Sequence, residues 1–399
     1  MGEGAPWLTI IGLGEDGPDG LTGASRAALE AAEIVMGPQR HLSLLPDLPG
    51  QRVDWPVPFA DGLNLLAGYA GRRVVVLASG DPFWFGAGSV IARRFARAEW
   101  CVLPGPSVFS LAAARLGWPL EQVLCLGHHA APLTRLRPYL ARGVRMIVTL
   151  RDGAAVADLG QYLTGLGFGA SILWVMEALG GPREAVTQSQ ADAVTGAFSH
   201  PVAVAVQIDG DGAALPRASG LADGFFDSDG VMTKRPVRAL TLSALAPKPH
   251  EVLWDIGGGS GSVGIEWLLC HPTTEAITIE PRADRIGLIT ANATALGVDR
   301  LRVVEGRAPE ALGDLPTPDA VFIGGGLSAA LLEWLYGQLP TGTRVVANAV
   351  TLESEAVLIA AHRVRGGALL RIDLSEAAAL GPRTGWKAAY PVVQWSVVL

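Results

Sequence analysis

Short apolar runs separated by glycine, proline and helix-like stretches dominate the chain. Residues 8–11, 34–36, 74–77 and 100–103 have strand length, whereas 21–32 and 88–98 space their apolar residues at helical intervals. Strands alternating with helices predict a largely parallel sheet. A second series at 146–150, 171–175 and 202–208, with a helix over 156–165, predicts a second lobe of the same domain. The pattern then lapses into Asp209-Gly210-Asp211-Gly212, Pro216, Ser219-Gly220 and Asp227-Ser228-Asp229-Gly230. Such a polar, glycine-rich stretch reads as a linker over 211–230. It divides a domain at 1–210, with lobes near 1–115 and 120–210, from one at 231–399. The latter repeats the α/β pattern at 252–256, 276–279, 301–304, 320–323 and 344–347, and residues 390–399, rich in Val and Trp, finish its sheet.

Each half opens with a strand running into glycines. Gly12-Leu13-Gly14-Glu15-Asp16-Gly17 has the spacing G-x-G-x-x-G. A dinucleotide site also needs its last glycine to open a helix and an acidic residue to end the next strand. Here Pro18 and Gly20 interrupt the helix start, and Met36-Gly37-Pro38 carries no carboxylate, so an NAD(P)-dependent reductase is disfavoured. The second turn, Asp255-Ile256-Gly257-Gly258-Gly259-Ser260-Gly261, leads directly into a helical pattern, and Glu280 ends the next strand. Glycines there admit a ligand to the backbone, and a carboxylate at Glu280 can take both hydroxyls of a ribose. A tight helix–strand contact is the competing explanation, and geometry alone does not separate NAD from S-adenosylmethionine.

With 399 residues the chain has room for two or three domains. Lys+Arg 31 against Asp+Glu 38 gives a net charge of −7 with basic residues scattered, which argues against nucleic acid as a partner. Cys101, Cys125 and Cys270 lie too far apart for a disulfide framework or a Cys-type zinc site, and no other metal ligands are spaced for a site. The apolar runs fall far short of the ~18 residues of a spanning helix, and the first residues lack the pattern of a signal peptide. A cytoplasmic location away from membranes is expected, with assembly as a homo-oligomer.

Asp255 ahead of the dense glycines and Glu305-Gly306-Arg307-Ala308 after the third strand resemble the class I S-adenosylmethionine-dependent methyltransferases. In the first half, Ala78-Ser79-Gly80-Asp81-Pro82-Phe83-Trp84-Phe85-Gly86 and Leu103-Pro104-Gly105-Pro106-Ser107-Val108-Phe109-Ser110, with Gly12-Leu13-Gly14, resemble the tetrapyrrole methylases. The second half is also similar to the decarboxylating methyltransferases of cobalamin synthesis, on Met232-Thr233-Lys234-Arg235, Val237-Arg238-Ala239-Leu240, Phe322-Ile323-Gly324-Gly325-Gly326 and Val346-Ala347-Asn348-Ala349. Pro236 departs from the acidic residue expected there, and Gly127-His128-His129 from the usual run at that place.

The resemblance implies an α/β protein: a two-lobed tetrapyrrole methylase domain followed by a Rossmann-like class I methyltransferase domain. It implies S-adenosylmethionine as cofactor, with one site per domain. Cofactor contacts carried over by motif are Gly12, Gly14, Ser79, Gly80, Asp81, Phe85, Gly86, Pro106 and Ser107 in the first domain. In the second they are Thr233, Gly257, Gly258, Gly259, Ser260, Gly261, Glu280, Gly306, Arg307 and Ala308. The implied activity is methylation of carbons 5 and 15 of reduced precorrin-6 with loss of carbon dioxide from the ring C acetate, giving precorrin-8. A cobalt-loaded tetrapyrrole is the alternative substrate, and a tetrapyrrole carrier with one dead cofactor site is a further competitor.

Methyl transfer from a sulfonium to carbon needs positioning rather than a nucleophilic side chain, which suits a sequence without a Ser-His-Asp or Cys-His constellation. The substrate is a polyanion, so guanidinium and ammonium groups are expected around it. Lys234, Arg235, Arg307, Arg383 and Lys387 are candidates in the second domain and Arg115 in the first. Asn348 and Arg307 are the candidate catalytic residues. Trp84, Trp254, Trp267, Trp386 and Trp395 are candidates to line a flat macrocycle pocket, against the ordinary alternative of core packing.

Overall fold

The structure is a computed structural model, and it describes residues 6–399. The chain separates into two compact units. The first comprises residues up to 133 together with 141–213, and the second 134–140 together with 214–399.

In the first unit, β1 (Leu8–Leu13), β2 (Ile34–Gly37), β3 (Gln51–Asp54), β4 (Val74–Ser79) and β5 (Trp100–Leu103) form a sheet in the order β3-β2-β4-β1-β5. Its pairs are parallel, as the alternation of strands and helices predicts. Near-continuous apolar strands suit a sheet covered on both faces, and Ile11, Val35 and Leu77 pack on one side while Ile10, Met36 and Val76 pack on the other. The second lobe holds β6 (Leu124–His128), β7 (Arg145–Leu150), β8 (Ile172–Glu177), β9 (Ala185–Gln190) and β10 (Val202–Gln207), ordered β6-β7-β10-β8-β9. Here β6 and β7 run parallel, and the other pairings are antiparallel. The turn from β8 to β9 is too short for the crossover that a parallel pair requires. The helix Val108–Leu116 follows β5 yet buries Phe109 and Ala112 with Ile147, Met176 and Ala205 of the second sheet.

The second unit is a seven-stranded sheet ordered β13-β12-β11-β14-β15-β19-β16. It is built from β11 (Val252–Ile256), β12 (Glu275–Glu280), β13 (Arg302–Glu305), β14 (Ala320–Ile323), β15 (Arg344–Ala349), β16 (Ala368–Ile372) and β19 (Val392–Val398). The first five strands are parallel. The terminal strand β19 lies between β15 and β16, antiparallel to both. Between β16 and β19 an exposed hairpin, β17 (Ser375–Leu380) and β18 (Arg383–Ala388), forms a sheet of its own.

The stretch read as a linker is mostly exposed but is anchored at Gly220, Leu221 and Phe226, which are buried. Leu221 and Phe226 are buried in the core of the second unit with Leu242, Trp267 and Ile289. Glu266 accepts the backbone N–H groups of Gly220 at 2.7 Å and Leu221 at 2.9 Å, and Arg238, fully buried, donates to Glu266 at 2.5 Å. A buried ion pair of this kind tolerates the loss of neither partner, so it pins a segment whose composition suggests mobility.

Candidate functional site

In the first unit, three turns meet at the carboxyl ends of β1, β4 and β5. A Cβ at Gly12 would lie 1.7 Å from the Gly80 carbonyl oxygen and 2.4 Å from the Gly105 nitrogen. The Gly80 N–H donates to the Leu13 carbonyl at 3.1 Å, and the Gly105 N–H to the Gly80 carbonyl at 3.0 Å. Gly80 has φ +52, a conformation glycine adopts without strain. Beside this crossing lies a cavity of about 620 Å³ between the lobes of the unit. Gly14, Ser79, Gly80, Asp81, Phe85, Gly86, Pro106 and Ser107, all expected at the cofactor, line it together with Trp84. Gly12 serves behind the wall, in the crossing itself. Across the cavity stand Thr149, Met176 and Ala203 of the second sheet and His200 in the loop before β10.

The side chains of these turns are held locally. Ser107 caps the helix Val108–Leu116 by accepting the Ser110 N–H at 3.1 Å, and Asp81 accepts the Phe83 N–H at 2.9 Å. Of the histidine pair, His129 reaches the cavity wall, whereas His128 is buried at the end of β6. Arg115 is engaged elsewhere: its Nε and Nη2 donate to Glu184 at 2.6 and 2.8 Å.

Sequence reasoning passed over the charged group on this wall. Arg40 pairs with Glu15, and its Nη2 reaches His41 Nε2 at 2.7 Å and Ser79 Oγ at 3.0 Å. Burial, and then the neighbouring Arg40 charge, push His41 down to about 3, so it is neutral at pH 7. The available signal was position. Arg40 and His41 directly follow β2, on the edge of a parallel sheet where ligands bind.

In the second unit, β11 runs through Asp255 into the glycine loop, and Gly261 opens the helix Ser262–Cys270. A Cβ at Gly257, with φ +78, would lie 2.5 Å from the Gly325 nitrogen, and one at Gly258 would lie 2.1 Å from Thr278 Cγ2. Glu280 is buried at the end of β12, where Oε2 accepts the Gly259 N–H at 3.0 Å and Oε1 the Arg282 N–H at 3.2 Å. Asp255 accepts from the Gly264 N–H and the Thr278 hydroxyl, both at 3.2 Å. Burial pushes its carboxyl up to about 7 against the pull of those bonds. Asn292 donates to the carbonyls of Ser260 at 3.0 Å and Asp227 at 2.9 Å, tying the loop to the preceding segment. Among the described residues the buried Ser260 hydroxyl has no partner.

The other candidates divide. Asn348 ends β15 as expected, with Nδ2 on the Thr241 hydroxyl at 2.9 Å and Oδ1 accepting from Gln394 at 3.0 Å. Thr233 offers its carbonyl to Arg238. Lys234 and Arg235 are exposed at the start of the helix Arg235–Leu245, with Lys234 4.0 Å from Asp223. Gly306, the exposed Arg307 and Ala308 form the turn after β13. Arg383 and Lys387 are exposed on the separate hairpin β17–β18, which leaves the sheet at the carboxyl edge of β16. Trp254, Trp267 and Trp395 are buried in the core and Trp386 is 80% exposed, so of the five tryptophans Trp84 alone lines the cavity of the first unit.

Two protein families match the chain: tetrapyrrole (corrin/porphyrin) methylases over residues 7–195, and the precorrin methyltransferase domain over 224–399. A precorrin-6Y C(5,15)-methyltransferase (decarboxylating) of Sinorhizobium is 49% identical over 98% of this chain and 96% of its own. The protein of that name from Mycobacterium tuberculosis is 39% identical over 98% and 99%. The solved carboxyl-terminal domain of the precorrin-6Y C5,15-methyltransferase from Rhodobacter capsulatus is 54% identical, spans 46% of this chain and all of its own, and superposes with a TM-score of 0.45.

Proposed function

Because the chain belongs to the family of the decarboxylating precorrin-6Y C(5,15)-methyltransferases, we propose that it methylates carbons 5 and 15 of reduced precorrin-6 and removes carbon dioxide from the ring C acetate. Each unit binds its own S-adenosylmethionine, the first acting at carbon 5 and the second at carbon 15 and the acetate. The observation that carries this reading is the identity along both units of the chain, each of which presents a glycine-lined turn at the carboxyl edge of a parallel sheet.

When bound, the cofactor supplies a methyl group activated as a sulfonium. In the second unit the Glu280 carboxylate fits a ribose diol, and the unpartnered Ser260 hydroxyl and the glycine backbone fit the amino-acid end. In the first unit a cavity of about 620 Å³ matches a drug-sized ligand. Its wall excludes water from the reacting carbon with Trp84, Phe85, Phe109 and Met176. Asn348, held by Thr241 and Gln394, keeps one amide hydrogen and one carbonyl lone pair for the substrate, the amide hydrogen facing the departing carboxylate. Arg307 pairs with a peripheral carboxylate.

Incubation with reduced precorrin-6 and S-adenosylmethionine tests the whole reading by product mass. It expects a gain of two methyl groups with loss of one carbon dioxide. A single methyl gain would remove one unit from the scheme, and preference for the cobalt-loaded substrate would move the enzyme to that series. Asn348→Ala is expected to slow decarboxylation and carbon-15 methylation about tenfold, the size of one hydrogen bond. Wild-type rates in that variant would take the role from Asn348.

A further inference from the structure

Glu15 and Arg40 line the cavity of the first unit, Arg183 bonds to Glu15 from behind it, and the methyl transfer proposed above leaves Glu15 and Arg183 without a task. Glu15, 8% exposed, gives one carboxylate oxygen to Arg40 and the other to Arg183 Nη2 at 3.2 Å. The two arginines come from different lobes. Arg40 follows β2, and Arg183 sits in the turn between β8 and β9, where a Cβ at Gly181 would lie 2.6 Å from the Glu15 Cβ.

The charges in this group do not balance, because two guanidinium groups share one carboxylate while the adjoining His41 is neutral. Asp81, on the same cavity wall, accepts the Phe83 N–H, and elsewhere in the unit Asp152 pairs with Arg151 and Glu184 with Arg115. Arg40 is engaged through both terminal nitrogens, with Glu15, His41 and Ser79. Arg183 touches Glu15 through one nitrogen, and its side chain is 60% exposed. A guanidinium pairs best with a carboxylate through two parallel N–H bonds, and here its fork is half satisfied.

We propose that Arg183 is a receiving group for a peripheral carboxylate of the tetrapyrrole at the rim of the cavity, and that Glu15, on the cavity wall, is the protein's own carboxylate, holding Arg183 there until the substrate's takes it over. The subsite rests on the reading of the first unit as a tetrapyrrole site. It makes Glu15 a competitor of the substrate. A plain ion pair between the lobes predicts that removing either partner harms binding, whereas carboxylate exchange predicts opposite signs.

The test uses the full chain with Arg183→Gln, Arg183→Lys and Glu15→Gln, and follows carbon-5 methylation as the methyl gained in excess of the one that accompanies loss of carbon dioxide. Arg183→Gln should raise the KM for reduced precorrin-6 about tenfold, the loss of one charge-assisted contact. Its kcat and its KM for S-adenosylmethionine should stay within about twofold, the margin expected when only substrate binding changes. Arg183→Lys, which keeps the charge without the fork, should fall between. Glu15→Gln should lower the KM for the tetrapyrrole about threefold, since it removes a competing charged contact. Fluorescence titration with uroporphyrin, an octacarboxylate, reads the same order without turnover. If both substitutions shift affinity in one direction, or neither shifts it, the subsite is overturned. If reduced precorrin-6 is not methylated at all while the uroporphyrin affinities still move oppositely, the subsite stands and the proposed activity falls.

Discussion

The two units bring backbone to a ligand by different means. In the first, turns from three separate strands cross at Gly12, Gly80 and Gly105, and the opening beside them depends on side chains being absent. In the second, one loop is held by side chains being present. Glu280 bonds the Gly259 amide, Asp255 the Gly264 amide in the helix that follows, and Asn292 the Ser260 carbonyl. A crossing of glycines is limited by sterics and is insensitive to charge. A loop braced by buried acids carries the cost of desolvating them, so it responds to pH and to the loss of one polar partner. The difference teaches that the same expected ligand does not impose the same vulnerabilities.

The largest effect that could break this contrast is steric. Gly12→Ala places a methyl group inside the Gly80 carbonyl, and carbon-5 methylation should fall by roughly a hundredfold or more, as expected when reacting groups are displaced by about 1 Å. Carbon-15 methylation and decarboxylation should persist, leaving a product with one methyl gained and carbon dioxide lost. Retention of carbon-5 methylation would show that the crossing yields more than its geometry suggests.

Next comes the polar brace. Glu280→Gln keeps the shape of the loop but removes the charge on its acceptor, and the KM for S-adenosylmethionine at carbon 15 should rise roughly thirtyfold on the ~2 kcal/mol scale of a charged hydrogen bond. Carbon-5 methylation, read in the same mixture, should not change. Equal losses at both carbons would contradict separate cofactor sites.

The smallest effect is in stability, and it has opposite signs in the two units. Asp255 titrates near 7 when folded against 3.8 unfolded, so the native state keeps a proton that the unfolded chain releases. Its contribution to the second unit is full below 3.8 and is lost as pH rises toward 7. His41 titrates near 3 when folded against 6.5 unfolded, so the first unit loses stability as pH falls below 6.5. Calorimetry between pH 7 and 5 should show one unfolding transition falling and the other rising, each by roughly 5 °C. Asp255→Asn should flatten the rising transition and His41→Gln the falling one.

Much of the fold can be read from runs of apolar residues. The strands at 8–11, 74–77, 252–256 and 320–323 are buried, and burial on both faces is what makes such runs continuous. Strands β3 and β9 escape such reading because Gln51–Asp54 and Ala185–Gln190 are largely exposed edges with polar sequences. Glycines and Glu280 were legible because a backbone conformation or a strand end demands them at fixed spacing. Arg115, bound by Glu184, was less so, since a cation is common on any surface and its partner is chosen by the fold.

The sequence by itself therefore determined the α/β class, the two glycine turns and the residues on them, because each follows from local steric and hydrophobic rules. Tertiary structure alone decided that the stretch 214–230 is anchored to the core at Leu221 and Phe226, beside the buried pair of Arg238 and Glu266. It also decided that Glu15, Arg40 and Arg183, up to 168 residues apart in sequence, form one charged group. The reason is physical: a buried or shared charge is stable only with a partner, and that partner is supplied by whichever element the fold brings near, at no fixed distance along the chain.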